Sequence, residues 1–338
     1  MQCDYFYPSK LKLNKNIKII INYGLGPALF LILCWSLYRQ VSVQDDLAER
    51  WMQIKTSWEN PLFAVVLVLM LVNWSLEARK WQILLEPLQD SGFITSFKSV
   101  MAGCSVTMLT PNRIGEYGGR ILFVEEDKRL QAISLTIIGS ISQLLVTFVM
   151  GTIGLVLLQF YSLDDTGAFR MLPVFFSRTL LVISIAICAG IFFTYLFLSQ
   201  IIEQLKKYRF LKKILRYVVV IQQVERKQLL RILILSFIRY LVFILQYQLL
   251  LFVMNVTVNP ILSFWLLSIF YLVMALAPTI GFTELPIRAT ASVELFALYS
   301  NNILGIQAAA LGIWIINLVI PALAGSFLIL GNKIAKEK

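Results

Sequence analysis

The chain is 338 residues long, 58% hydrophobic and only 14% charged, with a formal net charge of +11 and no histidine. A water-soluble domain devotes about a quarter of its residues to charge, so this composition, with a mean hydropathy of +0.76, excludes a soluble globule and indicates a chain solvated mainly by lipid. The absence of histidine removes imidazole-based metal sites, nucleophilic triads and proton relays, and the four scattered cysteines (Cys3, Cys34, Cys104, Cys188) read as packing residues, without zinc or disulfide spacing.

A basic arm bearing Lys10, Lys12, Lys15 and Lys18 leads into the first apolar run, 19–38. That run is too long for a signal-peptide core and has no small-x-small cleavage site, so it is expected to remain as a first span. A span needs about 20 apolar residues, and further runs meet this at 61–84, 131–158, 173–200, 229–256 and 305–331. Two other stretches, 94–130 and 260–303, are apolar but interrupted by proline, glycine and charge. The expected fold is therefore all-α, a polytopic transmembrane helix bundle with about six full spans and two broken, re-entrant helical segments.

The second run ends in Asn73-Trp74-Ser75-Leu76-Glu77-Ala78-Arg79-Lys80-Trp81. Its tryptophans suit an interfacial belt, while Glu77 and Lys80 or Trp81, one helical turn apart, can form a face towards the bundle. The first broken stretch holds Thr110-Pro111-Asn112-Arg113-Ile114-Gly115-Glu116-Tyr117-Gly118-Gly119-Arg120. Pro111 ends a helix and the glycines permit tight turns.

The connection from Glu203 to Arg231 is strongly basic, with only Glu203 and Glu225 opposing nine lysines and arginines. Leu205, Phe210, Leu211, Ile214, Leu215 and Val218 recur at helical spacing, which predicts a cytoplasmic amphipathic helix over about 203–220 whose basic face attracts anionic lipid headgroups. An ordinary positive-inside loop explains the charge equally well. Arg239, inside the fifth full span with Gln246 below it, points either to a polar bundle interior or to an arginine snorkelling to the surface. The second broken stretch holds Ala277-Pro278-Thr279-Ile280-Gly281-Phe282-Thr283-Glu284-Leu285-Pro286-Ile287-Arg288. It repeats the grammar of the first: Pro, then Ile-Gly, then Glu, then Arg.

The C-terminus closes on Lys333, Lys336 and Lys338. Placing the three basic regions, and with them both termini, in the cytoplasm requires each broken stretch to enter and leave on one side; a straight seventh span at 261–277 would reverse the orientation of the rest of the chain. Such charge belongs to membrane orientation, so no nucleic-acid partner is expected. Irregular backbone and ionisable side chains at membrane depth persist where protein or a polar cavity satisfies them. Two broken helices in corresponding positions point to a transporter built from inverted repeats.

The NW…E…KW segment, the TPNRIGEYGGR motif and the PTIGFTE motif together resemble the flippase-like transmembrane family, whose best-known member is the membrane region of lysylphosphatidylglycerol synthase. The resemblance covers nearly the whole chain, so 1–338 is expected to form one such transmembrane domain in a bacterial cytoplasmic (inner) membrane. In bifunctional members a soluble aminoacyl-transferase domain succeeds the membrane region. Here the chain stops shortly after Gly331, so the expectation is lipid transport without lipid synthesis.

The resulting expectation is a flippase for an anionic or aminoacylated phospholipid or a polyprenyl-phosphate-type lipid. Arg113, Arg120 and Arg288 would pair with phosphate through their guanidinium forks. Glu116 and Glu284 would orient them, bind a cationic headgroup or carry a coupling proton. Gly115, Gly118, Gly119 and Gly281 would let backbone approach the headgroup, and Glu77, Lys80, Trp81, Arg239, Pro278 and Thr283 complete the candidate lining. No metal or cofactor is expected, and a homo-oligomer remains open. The alternatives are an integral membrane transferase acting on a lipid-linked substrate, in which carboxylates serve as base or metal ligands, and a structural subunit of a larger assembly.

Overall fold

The computed structural model describes residues 35, 38–39, 42, 47–108, 110, 115–161, 174–208, 212–277 and 284–336. The expected first span at 19–38 falls almost wholly outside these residues, as do Arg113, Pro278, Gly281 and Thr283. Among the described residues every regular element is helical.

A short helix α1 (Leu47–Thr56) precedes α2 (Pro61–Leu85), α3 (Phe93–Met108) and α4 (Gly115–Arg120). Next come α5 (Arg129–Tyr161), α6 (Val174–Leu196), α7 (Leu198–Leu205), α8 (Lys212–Val218) and α9 (Arg226–Val253). The chain continues with α10 (Pro260–Leu276), α11 (Glu284–Phe296), α12 (Ile303–Trp314), a π-turn (Ile315–Val319) and α13 (Ile320–Lys336). Among the described residues, five helical runs are long and apolar enough to cross a membrane: α2, α5, α6, α9 and the α12–α13 run. Local chemistry sets several starts. Asn60 and Asn259 cap α2 and α10, accepting from Leu62 N at 3.0 Å and Ile261 N at 2.9 Å, and each is followed by proline at the first helical position. Glu225 and Gln228 form a capping box at the start of α9.

The packing is reciprocal. α2 lies against α9, α3 against α13, and α5 against α10. All three pairs are antiparallel. Glu86 meets Gln228 at one end of the first pair, Asn73 meets Arg239 in the middle, and Val66 meets Gln246 beyond it. Ser105 donates to Ala322 O in the second pair, while Gly151 abuts Leu272 and Gly154 abuts Trp265 O in the third. The helix before each broken stretch thus packs on its counterpart, and the first helix of each stretch packs on the last helix of the other half. Because α2 and α9 run in opposite directions, the axis relating the halves lies across the helices, which is the inverted-repeat arrangement. One sequence spacing carries Glu116 to Glu284, Arg120 to Arg288, Met108 to Leu276 and Leu85 to Val253.

Each broken stretch begins and ends at a single end of the bundle, the first at the Glu86 end of the α2–α9 pair and the second at the opposite, Met254 end. Gln89 Oε1 accepts from Glu125 N at 3.1 Å, closing the stretch that contains α3 and α4. Asn302 Nδ2 donates to Met254 O at 2.9 Å, closing the one that contains α10 and α11. With 17 residues, α10 reaches about 25 Å, short of a hydrocarbon core about 30 Å thick. The return of the chain to Met254 O at Asn302 gives 261–277 the geometry of the first arm of a hairpin that enters and leaves at one end.

The helix expected over 203–220 is divided. α7 ends at Leu205, α8 begins at Lys212, and a 3-10 turn (Val219–Gln223) comes after it. Leu215, Val220 and Ile221 are buried, with α8 packed against α5, so protein covers part of the apolar face. α6 instead packs mainly on α5 and leaves Val182, Ile185 and Phe193 exposed, as a lipid-facing helix at the edge does. α1 packs on α12 and exposes Trp51 and Met52.

Small residues allow the closest approaches. A Cβ on Gly119 would collide with the carbonyl of Ala102, and one on Gly115 with that of Val106, so these glycines let α4 fold down onto α3. Gly118, on the same short helix, has open space in front of its Cα. Gly119→Ala is accordingly expected to lower stability by about 1–3 kcal/mol through overpacking. Gly118→Ala should be neutral or slightly stabilising because it removes backbone entropy from the unfolded chain. Thermal unfolding of the purified protein in detergent distinguishes the two.

Candidate functional site

Four elements bring charge into the bundle interior, and three of them meet at Glu77. The C-terminal half of α2 turns Asn73, Trp74, Glu77, Lys80 and Trp81 inward, and all five are buried. Lys80 Nζ lies 2.7 Å from Glu77 Oε2, an ion pair along one turn of α2. Arg120, at the end of α4, donates from Nη2 to Glu77 Oε1 at 2.7 Å and also pairs with Glu116, one turn earlier on α4. From α9, Arg239 places Nη1 2.9 Å from Glu77 Oε2. One buried carboxylate therefore holds three cations from three helices. Glu77 and Arg120 are 4% and 2% exposed.

Each cation has further support. Trp81 stacks under the Arg120 guanidinium at 5.3 Å and donates Nε1 to Ser99 Oγ, which in turn donates to Arg120 O. The Arg239 guanidinium lies over both Trp74 and Phe243, at 5.3 and 5.2 Å, and its Nε donates to Asn73 Oδ1 at 2.9 Å. Only 12% of the Arg239 side chain is exposed; of the two readings, the polar interior is the one the fold adopts. Asn73 also donates to Asn317 on the π-turn, and Asn317 donates to Gln246 Oε1 at 2.9 Å. A chain of carboxamides thus joins Arg239 to Gln246 through the opposite helix.

The second re-entrant segment repeats the intrahelical pair of the first. Glu284 opens α11, and Arg288, one turn on, donates to its Oε1 from Nε at 2.9 Å and from Nη2 at 2.7 Å. Both pairs border one cavity of about 610 Å³, together with Glu77, Lys80 and Arg239. Among the described lining residues, four cations face three carboxylates, counting each in its ordinary charge state. Aromatic rings of Trp74, Tyr240, Phe243, Tyr271 and Trp314 form much of the remaining wall.

Of the residues singled out in the sequence, Glu77, Lys80, Glu116, Arg120, Arg239, Glu284 and Arg288 line the cavity. Trp81 does not line it; it positions Arg120 from behind. Gly115 and Gly119 face α3, and their part is helix packing. Thr136, Ser140, Gln143 and Thr147 also line the cavity, from one face of α5 at helical spacing, and sequence reasoning passed over them. The available signal was that polar stripe within an apolar span. Asn317 was missed as well. A carboxamide at the middle of the run 305–331 marked it, and its π-turn is a feature frequent at functional sites.

A family described as the lysylphosphatidylglycerol synthase TM region matches residues 23–325. The chain belongs to that family. No curated protein and no solved structure matches it. As a member of the lysylphosphatidylglycerol synthase TM region family it is a multi-pass integral membrane protein of a lipid-related group. The family match takes in every described residue of the cavity lining.

Removing one partner from a buried ion cluster leaves charge without compensation, at a cost of about 3–5 kcal/mol. Glu77→Gln would strand Lys80 and Arg239 and weaken the tie to Arg120. It is expected to lower the unfolding temperature sharply and reduce the yield of monodisperse protein. Glu284→Gln, which affects a less buried pair, should cost clearly less in the same measurement.

Proposed function

We propose that the protein moves lipid across the bilayer, drawing a phosphate-bearing headgroup into the cavity while the acyl or prenyl tails stay in the membrane. The observation that carries this reading is the convergence of both re-entrant segments on one cavity with an excess of cation. A charged side chain at the bilayer centre costs about 2.5–3.5 kcal/mol on insertion scales, and apolar residues of similar volume often stabilise a core as well as buried ion pairs do. Seven ionisable groups at one cavity are thus poorly accounted for as scaffolding. A polar path for a headgroup accounts for them. The cavity volume of about 610 Å³ falls within the usual range of small-molecule sites, about 300–1,000 Å³.

The inverted halves also suit transport. One re-entrant segment begins and ends at the end of the bundle marked by Glu86 and Gln228, the other at the end marked by Met254 and Asn302. Rocking of one half against the other would open the shared site to either side in turn. The basic connection 203–231 lies at the first of these ends, adjoining Gln228. The positive-inside rule assigns that end to the cytoplasm, and the bacterial cytoplasmic membrane is the setting that fits. There the exposed lysines and arginines of the connection would gather anionic lipid beside the mouth.

Reconstitution into liposomes tests the reading. Wild-type protein is expected to expose tail-labelled fluorescent phosphatidylglycerol to a membrane-impermeant quencher faster than empty vesicles do. Arg288→Gln, which keeps a polar group but loses the phosphate fork, should slow this at least tenfold while remaining monodisperse. Unchanged movement in the variant, or none in wild type, would overturn the proposal.

A further inference from the structure

We infer that Arg239 is a headgroup-binding residue, gripping one phosphate together with Arg288 while Lys80 and Arg120 stay committed to Glu77. The inference rests on the lipid reading above and deepens it by naming side chains that reach the ligand.

Exposure divides the described cations of the cavity. The side chains of Lys80 and Arg120 are each 2% exposed, whereas those of Arg239 and Arg288 are 12% and 10% exposed. Bonding divides them in the same way. Arg120 is held by two carboxylates, Glu77 and Glu116, with Trp81 beneath it, and Lys80 lies between Glu77 and the carbonyl of Gly139. Arg288 gives Nε and Nη2 to one oxygen of Glu284, and its Nη1 bonds to no described residue. Arg239 gives Nε to Asn73 and Nη1 to Glu77, and its Nη2 is likewise unbonded among the described residues. Both of these nitrogens keep accessible surface, on side chains that line the cavity. Each therefore has N–H groups to offer a ligand.

Arg239 is also set in place beforehand. Trp74 and Phe243 lie against its guanidinium at 5.3 and 5.2 Å, and Asn73, which accepts from its Nε, is itself held by Asn317. The plane and direction of the fork are thus fixed before a ligand arrives, which lowers the ordering cost of binding. Its contact with Gln143 Oε1, at 3.5 Å, is at the limit of hydrogen-bond length and yields readily. Glu77 is not stranded when Arg239 turns an edge to an anion, because it keeps Lys80 and Arg120. A guanidinium matches phosphate oxygens in shape as well as charge. Two of them, presented from α9 and α11, can take separate oxygens of one phosphate.

The test is calorimetric titration of the detergent-solubilised full chain with three probes. These are dioctanoyl-phosphatidylglycerol, dioctanoylglycerol (tails without phosphate) and glycerol 3-phosphate (phosphate without tails). Wild type is expected to bind the first at least tenfold more tightly than either of the others. Arg239→Gln and Arg288→Gln should each weaken it at least tenfold and leave dioctanoylglycerol within twofold, which a general loosening of the fold would not do. The double variant should lose less than the product of the two single losses, because groups that share one partner are coupled. Arg239→Lys, which keeps a charge beside Glu77 but loses the fork, should weaken phosphatidylglycerol at least fivefold and serves where Arg239→Gln fails to fold. Unchanged phosphatidylglycerol affinity in the Arg239 variants would overturn the inference and leave the lipid reading standing, as would single losses that simply multiply. No preference of wild type for phosphatidylglycerol over dioctanoylglycerol would sink both readings. Glycerol 3-phosphate bound as tightly as phosphatidylglycerol would uphold the arginine pair, assign it to a soluble phosphate ester and overturn the lipid source.

Discussion

The Glu77 carboxylate sets the terms for the rest of the interior. It is buried in a bundle whose outer faces are lipid-facing, and it accepts Lys80 from its own helix, Arg120 from the first re-entrant segment and Arg239 from α9. None of these ions would be tolerated there alone, because a desolvated charge without a partner costs several kcal/mol. Together they fix α4 against α2 and hold the first half of the molecule against the second. The tryptophans and carboxamides around them answer to the same constraint. Trp81 and Ser99 hold Arg120, while Trp74, Phe243 and Asn73 hold Arg239.

The two halves share a plan but not a hub. The spacing that carries Glu116–Arg120 onto Glu284–Arg288 carries Glu77 onto Leu245 and Lys80 onto Gln248. The first re-entrant segment is therefore tied into the bundle by a buried carboxylate outside itself, whereas the second carries its pair within α11. Glycine provides close packing in both. Gly151 and Gly154 admit α10 to α5, and Gly325 admits α3 to α13. The symmetric backbone thus carries an asymmetric distribution of charge, concentrated where α2 and α9 cross.

Much of this was legible in the sequence, for identifiable reasons. Spans are set by long apolar runs and breaks by Pro and Gly, and both signals are local. The matching order of Glu and Arg after each break predicted two similar pairs, and i,i+4 spacing on a helix makes each a direct contact. Other features needed the third dimension. Arg239 fitted either snorkelling or burial until its partners on α2 were known. Thr136, Ser140 and Thr147 were silent because hydroxyls in membrane helices commonly bond back to their own backbone, as these do. Gly115 and Gly119 were read as room for a headgroup, but the backbone they admit is that of α3. The periodicity over 203–220 did not reveal where α7 and α8 separate, since a helical pattern of side chains says nothing about a turn between two short helices.

The central claim is that two inverted halves deliver their charged segments to one cavity from opposite ends of the bundle. The most direct measurement is side-specific labelling of single cysteines in a cysteine-free background, at Asp127 in the connection after α4 and at Asn301 in the connection after α11. Both positions are exposed. In sealed, uniformly oriented vesicles an impermeant maleimide should reach Asp127→Cys from one side only and Asn301→Cys from the other only. Labelling of both from the same side would contradict the inverted arrangement and, with it, the shared path across the membrane.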